Sequence, residues 1–253
     1  MITKIQFEKN DEDKSEHRKD FILRALIHEY TETGEPVASQ ILNVKYQLGV
    51  SSATIRNHFV VLTEGGYLYK PYISSGRIPT DKAWKFLIER IFNEDSDFLD
   101  HWEKRFQNQF SKIRLTSSSH IQSIEKIKKL VEIIAEESHS FCFCYLSQEN
   151  EVIKQGLKYM LTEMMEEELL NLELIQEVAE SLEKLDQKIK KIKISQNPLV
   201  FIGKDNPFLR SDQFSSLLAT VSHPKSVFGI LGPKRMSYEK NIAILKALSN
   251  LTF

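Results

Sequence analysis

The residues of this sequence best suited to chemistry fall in one short run, Ser51-Ser52-Ala53-Thr54-Ile55-Arg56-Asn57-His58. Ser51, Ser52 and Thr54 bring hydroxyls to the place where a helix would begin, and the free backbone N–H groups there hold a phosphate or let a hydroxyl reach a base edge. Arg56 and Asn57 follow, and these side-chain types make bidentate contacts to guanine and adenine respectively. His58 adds positive charge only when protonated. Further along, Lys70 suits a phosphate, Ser74 and Ser75 occupy a turn, and Arg77 after Gly76 suits a phosphate or the minor groove. These residues are the candidate DNA-binding set. Structural readings stand beside them: Ser51 is equally a helix N-cap, and Arg56 has Glu64 or Glu35 as alternative partners. Thr80-Asp81 reads as a cap, and Tyr67, Tyr69 and Tyr72 read more simply as packing against the third helix than as base-stacking rings.

Such a set needs a frame, and the apolar spacing supplies one. Phe21, Ile22, Ala25, Leu26 and Tyr30 predict a helix from Glu16, halted by Thr33-Gly34-Glu35-Pro36. Ser39 is placed to cap a shorter second helix with Ile41, Leu42 and Tyr46, closing at Gly49. A third helix from Ser51 to about Glu64 buries Ile55, Phe59 and Leu62 and ends at Gly65-Gly66. Tyr67 to Ile73 has strand character, Ser74 to Arg77 reads as a turn, and Thr80 caps a fourth helix. That order is the winged helix-turn-helix plan, whose third helix fits the major groove.

Beyond residue 93 the character changes. Residues 93–118 read as a linker helix and loop, with Thr116 to Ser119 as its polar cluster. Ile121, Ile124, Ile127, Val131, Ile134 and Ala135 predict an amphipathic helix feeding a strand from Phe141 to Leu146. Glu151 to Lys191 reads as a long helical stretch with a break near Glu168. Its acids gather in 160–183 and its lysines in 184–193, which reads as solvated helix surface. Strands at Leu199 to Gly203 and Ser226 to Gly232 and a helix from Tyr238 to Leu251 complete the unit. The expected organisation is a flexible tail at 1–15, a winged-helix domain at 16–92, the linker at 93–118 and an α/β domain at 119–253.

Composition narrows the field. A chain of 253 residues suits two domains, and 41% hydrophobic against 27% charged residues is too balanced for a disordered one. Two cysteines exclude a disulfide framework, and His139 with Cys142 and Cys144 lacks a standard zinc spacing and a fourth ligand, so neither metal nor cofactor is expected. Cys142 and Cys144 share one face of a strand and read as buried thiols. There is no Ser-His-Asp signature or phosphate-cradling glycine loop, which argues against an enzyme. No apolar run reaches membrane-spanning length and the polar start has no secretory core, so a soluble, cytoplasmic protein is expected. The formal charge of −1 conceals a local excess: from Ala38 to Lys85 there are six bases and two acids. That footprint is modest for one copy, which predicts a homodimer on an inverted repeat of double-stranded DNA.

Three strings, Thr31 to Val37, Leu48 to Asn57 and Ser74 to Lys82, closely resemble the winged-helix domain of the HrcA family of heat-inducible bacterial transcription repressors. Gly229 to Tyr238 resembles that family's C-terminal strand-to-helix junction. The resemblance implies a repressor of chaperone operons that binds an inverted-repeat operator and is released on heat stress. It implies a GAF-like domain with an inserted dimerisation segment, and the chaperonin GroEL as a partner that keeps the repressor active. Position 58 is His where the family usually has Asp, and Tyr72-Ile73 replaces a usual His-Thr, which predicts an altered base preference. After Leu146 the chain lacks recognisable central strands and the inserted segment. The expected fold class is therefore α+β: an N-terminal winged helix-turn-helix followed by a reduced GAF-like α/β domain. A regulator answering a small ligand through that GAF-like domain, or a winged helix directed at RNA, are the alternatives.

Overall fold

Helix α1 (Asp11–Thr33) begins ahead of the expected Glu16 start, so residues 11–15 are helix and not tail. The acid-rich sequence Asp11-Glu12-Asp13 suits a helix start, where the macrodipole is positive. The computed structural model describes residues 11–73, 75–93, 97–113, 120–221 and 225–250; the rest of the expected tail, Ser74 and the Thr116–Ser119 loop lie outside the described residues. The chain divides into two compact units between Arg90 and Ile91.

In the first unit α1 buries Ile22, Leu23, Ala25, Leu26 and Ile27. Helix α2 (Ser39–Tyr46) is preceded by Ala38 as its N-cap residue, so Ser39 is not the expected cap; it lies inside the first turn and is buried. Gln47, in the left-handed region, ends α2. Helix α3 (Ser52–Glu64) buries Ile55, Phe59 and Leu62 as its spacing required. Strands β1 (Leu68–Tyr69) and β2 (Ile78–Pro79) pair antiparallel, Leu68 opposite Pro79. The Tyr67 to Ile73 strand is thus cut short, consistent with Pro71, which has no N–H to give a ladder. Helix α4 (Asp81–Asn93) follows. The Thr80 hydroxyl does not cap it; it sits 2.7 Å from the Gly66 carbonyl and 3.0 Å from that of Tyr67, fastening the ribbon to the end of α3. Tyr67 packs edge-on against Phe86 of α4, and its ring also lies beside Gly65 at the end of α3.

A buried carboxylate joins α1 to α2. Glu29 is 5% exposed, accepts from the Tyr46 hydroxyl at 3.1 Å and lies 2.6 Å from Lys45 Nζ, which also reaches Glu32 at 2.7 Å. Its bond to Glu29 holds the Lys45 ammonium well above the usual lysine range. Lys45→Met is expected to cost the first unit about 1–3 kcal/mol, because the buried Glu29 carboxylate then keeps only the Tyr46 hydroxyl. Glu32→Gln, which loosens only an exposed pair, is expected to cost less than about 1 kcal/mol. Urea unfolding of both variants checks this, and equal losses would contradict it.

The second unit is built on a five-stranded antiparallel sheet, β3 (Phe141–Leu146), β4 (Glu151–Gln155), β5 (Leu199–Ile202), β6 (Phe214–Val221) and β7 (Ser226–Pro233), in the order β4-β3-β7-β6-β5. Two strands correct the sequence reading, which left the sheet short. Glu151–Gln155 is an edge strand paired with β3 and not the start of a helix, and Phe214–Val221, unforeseen, is an inner strand between β5 and β7. Helix α5 (Asp97–Ser111) packs against α10 (Tyr238–Ser249), and α6 (His120–Ser138), α7 (Leu157–Glu166), α8 (Leu172–Glu183) and α9 (Leu185–Ile189) cover the sheet together with α10. The break near Glu168 is present, that residue standing at φ 55° between α7 and α8.

Every residue of β3 is buried, which requires cover on both faces. Phe141, Phe143 and Tyr145 join Met160 and Met164 of α7, Leu174 and Val178 of α8 and Leu185 and Ile189 of α9 in one apolar cluster. The alternate residues turn the other way: Cys142 Sγ lies 3.4 Å from Ser138 Oγ of α6. Burial pushes the Cys142 thiol up to about 12, so it stays protonated and unreactive at neutral pH.

Candidate nucleic-acid interface

The geometry of α3 starts with its cap. Ser51 Oγ accepts the Thr54 N–H at 3.1 Å and shares a 3.0 Å hydrogen bond with Thr54 Oγ1, so two of the three hydroxyls are engaged with each other at the helix start. The amides of Ser52 and Ala53, in the first turn, have no carbonyl of the helix ladder to bond. With Ile55, Phe59 and Leu62 anchored in the core, Arg56 and Asn57 are left exposed on the outer side.

Arg56 pairs with neither Glu64 nor Glu35. Its Nε donates to Ser39 Oγ of α2 at 3.3 Å, which orients the guanidinium while its two terminal amino groups remain for a partner. His58 is half-buried, and desolvation together with Arg18 and Lys19 of α1 holds its imidazole below the usual range. It is therefore neutral at pH 7 and adds no charge there.

The ribbon is fastened to α3. Arg77 Nε donates to Thr63 Oγ1 at 3.2 Å, its guanidinium lies 6.0 Å from the centre of the Phe59 ring, and its backbone exchanges two 2.9 Å hydrogen bonds with Val37. Gly76 is required beside it, since a Cβ there would lie 2.4 Å from the Val37 carbonyl carbon. Ser75 Oγ accepts the Tyr72 N–H at 2.9 Å and lies 2.7 Å from the Tyr72 carbonyl, so it closes the turn. Lys70 is exposed, with no partner among the described residues. Tyr69 and Tyr72 are exposed too, which corrects the reading of them as packing residues.

The fold thus brings Ser51, Ser52, Thr54, Arg56 and Asn57 together on α3, and Lys70, Ser75 and Arg77 on the ribbon beside it. Residues missed from the sequence are those that hold this set: Ser39 for Arg56, and Thr63 and Val37 for Arg77. Each acts across many intervening residues, so no local pattern announced it. The charge count also changes, because Lys45 is engaged by Glu29 and Glu32, whereas Arg18 and Lys19 come close to His58.

In the second unit a groove of about 770 Å³ opens beside α8 and α9. Its central polar groups serve the fold: Lys188 donates to Ser181 Oγ at 3.1 Å and to the Phe208 carbonyl, and Glu177 accepts the Arg210 N–H. Among the described residues no set of three or more His, Cys, Asp or Glu is placed to hold a metal ion, and no helix is long and apolar enough to cross a membrane.

Comparison with known proteins gives a consistent family. The chain is 47% identical over 79 residues to a protein of Kineococcus radiotolerans named heat-inducible transcription repressor HrcA, covering 31% of this chain and 23% of that one. A protein of the same name from Clostridium acetobutylicum is 33% identical over 127 residues, covering 50% of this chain and 35% of the relative. The aligned stretches thus span well under half of either relative's length. A crystal structure titled only as a hypothetical protein shares the fold, with a TM-score of 0.66 at 17% identity over 96% of this chain and 98% of that one. Residues 86–242, more than half of the chain, match the family model described as the HrcA protein C-terminal domain, and the chain belongs to the HrcA family.

Proposed function

We propose that this chain is a transcriptional repressor of heat-shock (chaperone) operons whose N-terminal unit is a winged helix-turn-helix that binds duplex DNA. In this reading α2, the turn through Gly49 and α3 form the helix-turn-helix, and β1 and β2 form the wing. The observation that carries it is α3 itself: an anchored helix whose outward Arg56 and Asn57 are the two residue types suited to base edges, with Arg56 oriented through Nε and its terminal amino groups free. The name that the relatives carry supports the same reading.

The candidate contacts sort by role. Arg56 and Asn57 read bases; the Ser52 amide and hydroxyl and Lys70 hold phosphate. Ser51 and Thr54 build the helix start, Ser75 and Arg77 shape the wing, and His58 packs the helix toward Arg18 and Lys19. Ser74 belongs to the set by sequence alone. The second unit is proposed as a GAF-like regulatory and dimerisation module, so that two copies occupy an inverted repeat. Release on heat stress and contact with the chaperonin GroEL, both implied by the family resemblance, complete the proposal, with a cytoplasmic site of action.

Selection of duplexes from a random DNA pool by the full chain tests it. The expected product is an inverted repeat whose half-sites lie about one helical turn apart or a multiple of it, and a single half-site should bind far more weakly. Recovery of unrelated sequences, or equal affinity for one half-site and two, would overturn the proposal.

A further inference from the structure

We propose that Tyr72 and Ile73 form an apolar wedge that enters the minor groove of duplex DNA beside the half-site read by α3. The proposal rests on the DNA-binding reading above and adds a contact to it. Ile73 is 95% exposed and Tyr72 75% exposed, and they are adjacent at the tip of the ribbon. A single exposed apolar residue needs no explanation. An adjacent pair held outward by a braced turn does.

The bracing is specific. The Tyr72 N–H donates to Ser75 Oγ at 2.9 Å, the Ser75 N–H donates to the Tyr72 carbonyl at 3.0 Å, and the Ser75 hydroxyl lies 2.7 Å from the same carbonyl. Gly76 then seats the turn directly on the Pro36-Val37 backbone, and Arg77 locks it there through Val37 and Thr63. The tip is a projection on a fixed base, and Tyr72 and Ile73 are the large hydrophobic side chains exposed on it among the described residues.

Charge selects the occupant. Residues 65–80 contain Lys70 and Arg77 and no acid, and Lys70 is exposed with no partner among the described residues. A second copy of this surface would meet it with the same two cations. Duplex DNA offers phosphates for Lys70 and, in the minor groove, base steps between which apolar side chains insert while the duplex kinks. Sequence preference then arises at steps that unstack readily, pyrimidine–purine steps foremost, outside the bases contacted by α3.

The test uses the full chain and the duplex it enriches from a random pool, with Tyr72→Ser/Ile73→Ser compared with Lys70→Ala. Because both wedge residues are exposed, the melting temperature of the double variant should match the parent's. Its affinity for the two-half-site duplex should fall about a hundredfold, about tenfold for each copy's lost wedge, with an unchanged salt slope because no cation is removed. Lys70→Ala should instead flatten the slope. Energy transfer between dyes on the two duplex ends should show the bend lost in the double variant. Replacing flanking guanosine by inosine, which removes only a minor-groove amino group, should alter parent binding and leave the double variant indifferent. A double variant that binds and bends like the parent would overturn the wedge while the DNA-binding reading stands. So would a change in sedimentation at unchanged DNA affinity, which would assign the pair to a protein contact. A parent chain that enriches no duplex would bring down both.

Discussion

Gly229→Ala is expected to destabilise the second unit by about 3 kcal/mol or more, the upper range for overpacking a core. Gly229 lies on β7 opposite Phe143 of β3, and a Cβ there would fall 2.0 Å from Phe143 Cζ. The ring has little room to yield: it is fully buried, with Phe208 5.6 Å away edge-on and Phe141 6.2 Å away, centre to centre. Phe143→Ala alone should cost about 3–5 kcal/mol through lost burial and the cavity left behind. The two changes are complementary, since the new methyl enters the space that the ring vacates. The double variant should therefore be more stable than the sum of the single losses predicts, by about 1–3 kcal/mol. Urea unfolding of all four proteins measures that coupling, and strict additivity would mean that the glycine is not there to admit the ring.

This close approach also shows where sequence stops informing structure. Ile55, Phe59 and Leu62 revealed the buried side of α3 because helical periodicity repeats within one element. Phe141 to Leu146 was legible because a continuous apolar run bounded by polar residues suits a strand covered on both faces. Glu151–Gln155 was not, because an edge strand with one buried side chain is too short to separate from the helix that follows it. Phe214–Val221 escaped because Ser215 and Ser216 made it look polar. Both serines are buried, with Ser215 Oγ 2.7 Å from the Tyr238 hydroxyl and Ser216 Oγ 3.2 Å from Asn206 Oδ1, partners outside the strand, 23 and 10 residues away.

The candidate interface divides along the same line. Residue type marked Arg56 and Asn57, and the capping pattern marked Ser51. What holds them is long-range: Ser39 lies one helix earlier than Arg56, and Thr63 and Val37 are remote from Arg77. The excess of bases counted from Ala38 to Lys85 erred for that reason too, since Glu29 and Glu32, which engage Lys45, lie before the counted stretch.

Arg56→Ala is expected to give the largest loss of DNA affinity among single variants and a loss of a particular kind. A bidentate contact to a base edge discriminates by about 1–3 kcal/mol, and a two-fold symmetric complex makes it twice, so the inverted repeat should weaken by about 2–6 kcal/mol. Binding to unrelated duplexes should change little, which makes relaxed specificity the signature. Lys70→Ala should weaken all sequences alike and lower the salt slope by about one per copy, because it removes a counterion-releasing contact. Ser39→Ala should fall between parent and Arg56→Ala, with specificity partly relaxed, since Nε loses its anchor while the guanidinium remains. Arg77→Ala is a poor reporter of DNA contact on its own. It also removes the bond to Thr63 and the packing on Phe59, so its melting temperature should fall together with its affinity. Fluorescence anisotropy on the selected repeat and a scrambled duplex, at several salt concentrations, separates these outcomes. If Arg56→Ala kept the parent's ratio of specific to non-specific affinity, α3 would not be the element that reads the sequence, because none of the remaining outward residues on it offers an equivalent fork of donors.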